Sequence, residues 1–361
     1  MTHDPERSAH AAAAIRSFGT AVPPGELTVD GWLRVADRIV PPSVDRAVLR
    51  RLAERSGIER RRCVTSVDPD GGLFPHASAP EPGTADRMAT WSRWARTLAQ
   101  ASAAEALGAS GIAAAGVTHV ITASCTGFES PGIDAHLIES LGLPADVRRT
   151  NVGFMGCHAA VNALACARDA VRSEPGAVAL VACTELSSAH FQRSDRLDRI
   201  VANTLFADGS ASMVVASPRE GDPCIAGTHS VLVPGSAAEM AWTVGDHGFE
   251  MTLGARVPDV LHAAIRPWVE SSLASHGLRI GDVHGWAIHP GGPRVIDAVR
   301  DALGLPEESA SHSRAVLRDH GNMSSATLPF ILRALSQERV PRPWAGLAFG
   351  PGLAGELVVI R

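Results

Sequence analysis

The feature that most constrains this chain is the recurrence of short, β-rich apolar runs separated by longer helical stretches. Six runs have strand length: "VTHVITA" (117–123), "GAVALVAC" (176–183), "ASMVVAS" (211–217), "GWAIH" (285–289), "WAGLAF" (344–349) and "GELVVIR" (355–361). Helical patterns cover 29–39, 43–56, 86–109, 131–141, 157–172, 256–275, 293–303 and 324–338. Such alternation predicts α/β layering. "VTHVITASCTG" and "DVHGWAIHPGG" each run a hydrophobic strand into a polar or glycine-rich loop, and "GAVALVACTE" and "WAGLAFGPG" repeat the pattern. The echo suggests two similar halves, 1–218 and 219–361, with the Pro-Gly-rich stretch 218–236 as their seam and a second such stretch, 68–83, as a surface loop. Strands of α/β sheets tend to deliver reactive groups at their carboxyl ends. That directs the search to the loops.

Composition removes several function classes. Net charge is −5 with pI near 6.3, and there is no basic block, which argues against nucleic acid or an anionic membrane as partner. All 33 basic residues are arginine, which excludes lysine Schiff bases and a lysine-dependent P-loop. Six cysteines occur without a CxxC pair or small-domain disulfide spacing, as expected in a reducing compartment. The acidic start is a poor signal peptide, and no apolar run reaches membrane-spanning length. A soluble, cytoplasmic protein is expected.

Three loops carry the residue types of nucleophilic catalysis. They are "GFMGCHAA" with Cys157, "AIHPGGP" with His289 and "DHGNMSSAT" with Asn322. Cys157 heads the alanine-rich run 157–172, and a helix N-terminus together with a nearby imidazole would lower its thiol pKa. His289 closes a strand ahead of Pro-Gly-Gly, and Asn322 precedes a helix start, where its amide can be a fixed donor. Taken singly, each is more commonly a packing or capping residue.

Together the motifs resemble those of the type III polyketide synthases, the chalcone-synthase-like branch of the thiolase fold. The resemblance runs from "LAERSGIERRR" near residue 52 to the C-terminus. It rests on the G-C step at Cys157, "HPGGP" at His289, "GNMSS" at Asn322, "FGPGL" (349–353) with Gly352, and "LFADG" with Phe206. It implies a five-layered αβαβα fold and a homodimer. It also implies a Cys157 thiolate, paired with His289, that takes an acyl group from an acyl-CoA. His289 and Asn322 would then stabilise the enolate left when malonyl-CoA loses CO₂. CoA thioesters would be substrates, with no metal or redox cofactor. By the same resemblance Phe206 guards the pocket entrance, Cys125 and His190 line the pocket, and Arg51 and Arg55 contact CoA phosphates. Cys125 reads more readily as a buried, unreactive thiol. Ser130 stands where plant members often carry methionine, so the pocket wall differs there.

Three other readings compete. "GPGLAG" fits G-x-G-x-x-G, but a strand-like segment follows it where a dinucleotide site needs a helix. The order Cys, His, Asn also fits a papain-like cysteine hydrolase, yet Cys157 lacks the C-G-S-C-W setting of that family. A ketoacyl synthase III shares the three residue types. It would perform a single condensation and carry H-Q-A-N, G-N-T-S and a final loop without proline.

Overall fold

The computed structural model describes residues 12–66 and 72–361. Two β-sheets face a shared layer of helices. The first sheet orders its strands Ala14–Ala21, Asp208–Ala216, Ala179–Leu186, His119–Ser124 and Arg148–Gly153, with the last three mutually parallel. The second orders Gly285–Ile288, Trp344–Gly350, Ala354–Ile360 and Ile225–Leu232, the first pair parallel and the rest antiparallel.

Helices Ala159–Ser173 and Thr327–Gln337 lie between the sheets. One apolar cluster joins Ala163, Leu164 and Leu332 of these helices to Val181 and Met213 of the first sheet and Ala348 and Val358 of the second. The alanines at 159, 160, 163 and 167 are fully buried, which explains the composition of the Cys157 segment. A helix enclosed by two sheets has room only for small side chains, and overfilling such a site costs about 1–3 kcal/mol. Helices Thr84–Ser110 and Ile133–Leu141 cover the outer face of the first sheet, and Val257–Ala274 and Pro293–Leu303 that of the second. The order of layers is α, β, α, β, α, as the resemblance implied.

Every strand expected from the six apolar runs is present, within a few residues. Other elements went unread. Arg148–Gly153 ("RRTNVG") has no apolar alternation, because it is an edge strand with mostly exposed residues. Helix Ser311–His320 buries only Ser313, Val316 and Leu317, too few to register as a stripe. The hairpin Met240–Gly245/Gly248–Leu253, helix Leu197–Leu205 and strand Ile225–Leu232 were also missed, the last lying inside the expected seam.

Candidate active site

Cys157 sits in the turn before helix Ala159–Ser173, two residues outside the helix rather than heading it. The turn is tightly formed. Phe154 has φ 58° and Gly156 φ 82°. A Cβ on Gly156 would fall 2.3 Å from Cδ of Pro351, and a Cβ on Gly350 would fall 2.5 Å from Cδ2 of His158. The glycines of the G-C and F-G-P-G motifs therefore let two loops from opposite halves interlock.

His289 follows strand Gly285–Ile288, held by its N–H donating to the Leu347 carbonyl at 2.7 Å. Asn322 and Phe206 share a parallel bridge. Asn322 N–H donates to the Leu205 carbonyl at 3.0 Å, and Ala207 N–H donates to the Asn322 carbonyl at 2.8 Å. The Asn322 Oδ1 accepts the Ser324 N–H at 2.9 Å, which fixes the amide and turns its NH₂ end elsewhere. Cys157, His289, Asn322 and Phe206 line one small, mostly apolar cavity of about 20 Å³. Met240, Leu253 and Val295 line both this cavity and an outer one of about 620 Å³ that reaches Arg55.

On the cysteine side lies a buried polar network. Ser324 Oγ is 3.5 Å from Cys157 Sγ and 3.2 Å from Cys125 Sγ. Cys125 Sγ is 3.5 Å from both oxygens of Glu185. The Glu185 carboxylate is fully buried and accepts from Thr126 Oγ1 at 2.7 Å, Ser325 Oγ and the Cys125 N–H. Ser324 adopts φ 48°, a strained conformation of the kind held at functional sites.

The electrostatics bear on the expected Cys157–His289 pair. Burial pushes the Cys157 thiol up to about 12, with the Glu185 charge adding to the rise and the Ser324 hydrogen bond opposing it. Burial drops His289 to about 3, with a smaller push from His158. Neither His289 ring nitrogen has a hydrogen-bond partner among the described residues. Burial in this dry cavity thus favours the neutral thiol and the neutral imidazole over a resting thiolate–imidazolium pair.

Other expected site residues disperse. Cys125 lines a second small cavity together with Cys157. His190 lines a neighbouring chamber behind Phe206, its Nε2 on the Thr126 carbonyl at 2.6 Å and its ring stacked 4.1 Å from Phe249. Gly352 (φ 74°) shapes the final loop, and its carbonyl accepts from Ser236 Oγ at 3.2 Å, whereas the loop's Pro351 is the residue that lines the Cys125 cavity. Arg55 lines the outer cavity; Arg51, also exposed, does not. Ser130 is exposed rather than part of a pocket wall within this chain. Sequence reasoning missed Ser324, Glu185, Met240 and the cross-strand pair Trp242 and Met251. Ser324 and Glu185 lie inside segments already singled out, "GNMSS" and "GAVALVACTE", while Trp242 and the methionines lie on the unread hairpin.

Two sheets around a central helical pair, with loops from both halves meeting at one buried cavity, are the thiolase fold. Family models agree: "Chalcone and stilbene synthases, N-terminal domain" matches residues 3–219 and "Chalcone and stilbene synthases, C-terminal domain" matches 225–361. A similar protein is 1,3,6,8-tetrahydroxynaphthalene synthase of Streptomyces peucetius subsp. caesius, 32% identical over 357 residues, 96% of this chain and 93% of that one. Another is the alpha-pyrone synthesis polyketide synthase-like Pks18 of Mycobacterium tuberculosis, 33% identical over 334 residues, 90% of this chain and 84% of that one. The crystal structure of PKS-I from the brown alga Ectocarpus siliculosus superposes with TM-score 0.91 at 28% identity, covering 98% and 99% of the two chains. The chain belongs to the chalcone and stilbene synthase family and is a type III polyketide synthase, an acyltransferase that acts by decarboxylative condensation.

Proposed function

We propose that Cys157 is the acyl acceptor and that His289 and Asn322 serve both its loading and the condensation. The supporting observation is that three chain segments bring Cys157, His289 and Asn322 to one buried cavity, with Phe206 at its wall. Burial favours the neutral thiol and the neutral imidazole, and loading is concerted. As sulfur attacks the thioester carbonyl, the Cys157 proton passes to His289, which returns it to the departing CoA sulfur. Malonyl-CoA then loses CO₂. The negative charge left on its thioester oxygen is met by the Asn322 NH₂ and an N–H of neutral His289, donors with little reorganisation to undergo. The enolate carbon attacks the Cys157-bound acyl carbonyl and expels the Cys157 thiolate, which takes up a proton from solvent. The extended β-ketoacyl-CoA is transferred back to Cys157 with release of CoA for the next round, and the chain finally cyclises to a pyrone or phenol.

Arg55 at the mouth of the outer cavity suits a CoA phosphate, and Arg51, one helical turn away, can add only long-range attraction. The chemistry calls for acyl-CoA and malonyl-CoA as substrates and for no metal or redox cofactor. Residues 1–218 and 219–361 form the two halves, and the enzyme acts as a cytoplasmic homodimer without nucleic-acid or membrane partners. Support for the dimer is the exposed edge strand Arg148–Gly153 beside Phe128, Phe154 and Met155, which are 56%, 38% and 39% exposed. Among the described residues no helix is long and apolar enough to cross a membrane.

The test is incubation with a panel of acyl-CoA starters and malonyl-CoA, followed by CoA release and product mass. Pyrones or resorcinols are expected, at a solution mass near twice 37.7 kDa. A single condensation passed to an acyl carrier protein would instead make the chain a ketoacyl synthase III-like enzyme.

A further inference from the structure

A line of polar side chains outside the cavity joins the two halves and ends beside the nucleophile. His158 Nδ1 lies 2.8 Å from Asn162 Oδ1, Asn162 Nδ2 donates to Glu356 Oε1 at 3.0 Å, and Ser230 Oγ donates to Glu356 Oε2 at 2.7 Å. His158 immediately precedes helix Ala159–Ser173, Asn162 is in its first turn, and Glu356 and Ser230 are on adjacent strands of the second sheet. His158 is 2% and Glu356 6% exposed.

The hydrogen-bond directions follow from chemistry. A carboxylate only accepts, so the NH₂ end of Asn162 faces Glu356 and its oxygen faces His158. His158 therefore carries a hydrogen on Nδ1, and its ring is held in one orientation. That ring is what forbids a Cβ at Gly350, the first glycine after Phe349 in the final loop. A phenyl group could fill the same volume without the desolvation cost of burying an imidazole, an amide and a carboxylate. Directional contacts, unlike packing, fix a ring's rotation as well as its place.

We propose that Glu356, Asn162 and His158 form a positioning relay for Cys157. Glu356 anchors the relay in the half that supplies His289 and Asn322, and His158 transmits that anchor to the turn carrying the sulfur. The relay sets the aim of Cys157 into the shared cavity. His158 touches no substrate and is a positioning residue only. The inference rests on Cys157 being the acyl acceptor.

The test compares His158→Phe, which keeps ring volume but removes the donor, with His158→Asn, whose amide nitrogen can occupy the Nδ1 position. Read-outs are acylation of Cys157 by intact mass and its alkylation by iodoacetamide at pH 8.5, alongside thermal melting. His158→Phe should slow both reactions at least tenfold at little change in melting temperature, since a misplacement of about 1 Å can cost 10²-fold. His158→Asn should recover most of the rate. Asn162→Leu should behave like His158→Phe and serves if that variant does not fold. The double variant should be no slower than either single one. Wild-type rates in both His158→Phe and Asn162→Leu, or equal loss in His158→Phe and His158→Asn, would overturn the proposal. Alkylation requires no polyketide chemistry, so failure of the condensation reading would leave the relay's effect visible.

Discussion

The two walls of the Cys157 cavity are built on opposite plans. The cysteine wall is polar: Ser324, Cys125, Glu185, Thr126 and Ser325 bond to one another, and Ser324 also reaches the Cys157 sulfur. The histidine wall is apolar, formed by Met240, Leu261, Val295 and Phe349, with both His289 nitrogens unpaired. An unpaired buried imidazole costs free energy, about 1–3 kcal/mol by the usual desolvation range. That cost is consistent with a group whose partner arrives with the substrate. The contrast suggests that the cysteine wall sets geometry, while the histidine wall keeps its donors for the charge that develops during reaction.

The most severe way to break the contrast is Cys157→Ala, which should abolish the covalent acyl adduct in intact-mass spectra. An adduct that survives would move the nucleophile across the network to Cys125. Next in size, His289→Ala and Asn322→Ala should each slow malonyl-CoA decarboxylation by about 10²–10³, as expected for loss of one preorganised donor. Melting temperature should fall less for His289→Ala than for Asn322→Ala, because the His289 ring has no hydrogen-bond partner among the described residues, whereas the Asn322 Oδ1 accepts from Ser324.

A third effect separates the walls by pH. The folded-state value of His289, about 3, lies below that of the unfolded chain, so the unfolded chain takes up the extra proton. The stability this contributes is complete above pH 6.5 and is lost as pH falls towards 3. His190, at about 4, acts in the same direction, whereas Asp208, raised to about 6 by burial, favours the folded state as pH falls from 6 towards 4. Only the difference between wild type and His289→Phe isolates His289. Urea unfolding should show wild type losing about 2 kcal/mol more than the variant between pH 6.5 and 5. Parallel curves would mean that His289 takes up protons in the fold as readily as in the unfolded chain, which would overturn the desolvation account.

The smallest effect is an order of labelling. Iodoacetamide at pH 7.5 should reach exposed Cys166 before Cys157, by about tenfold, because a thiol pushed up to about 12 carries almost no thiolate there. The reading of Cys157 as a pre-formed ion pair demands the reverse order. Peptide mapping decides between them.

How much was legible depended on how locally each feature is encoded. Strands such as Ala179–Leu186, buried on both faces, announce themselves as unbroken apolar runs. The edge strand Arg148–Gly153 and the helix Ser311–His320 do not, because their residues face water. Cys157, His289 and Asn322 stood out through the glycines and prolines around them, and those punctuate sharply because tight loops need them. The Ser324–Cys125–Glu185 network was not legible, since Glu185 lies at the end of strand Ala179–Leu186 and Ser324 opens a short 3-10 turn far along the chain, and only the fold brings them together.

By itself, the amino-acid sequence determined the α/β alternation, the elements of both sheets that are apolar throughout, and the motifs at Cys157, His289, Asn322 and Phe206. Those are properties of residues within a few positions of one another. Tertiary structure alone decided that Cys157 lies outside its helix, that burial favours the neutral forms of its thiol and of His289, and that Arg55 rather than Arg51 meets the outer cavity. Desolvation is the reason: how far a charge is removed from water depends on what packs over it, and here those groups come from segments more than a hundred residues apart.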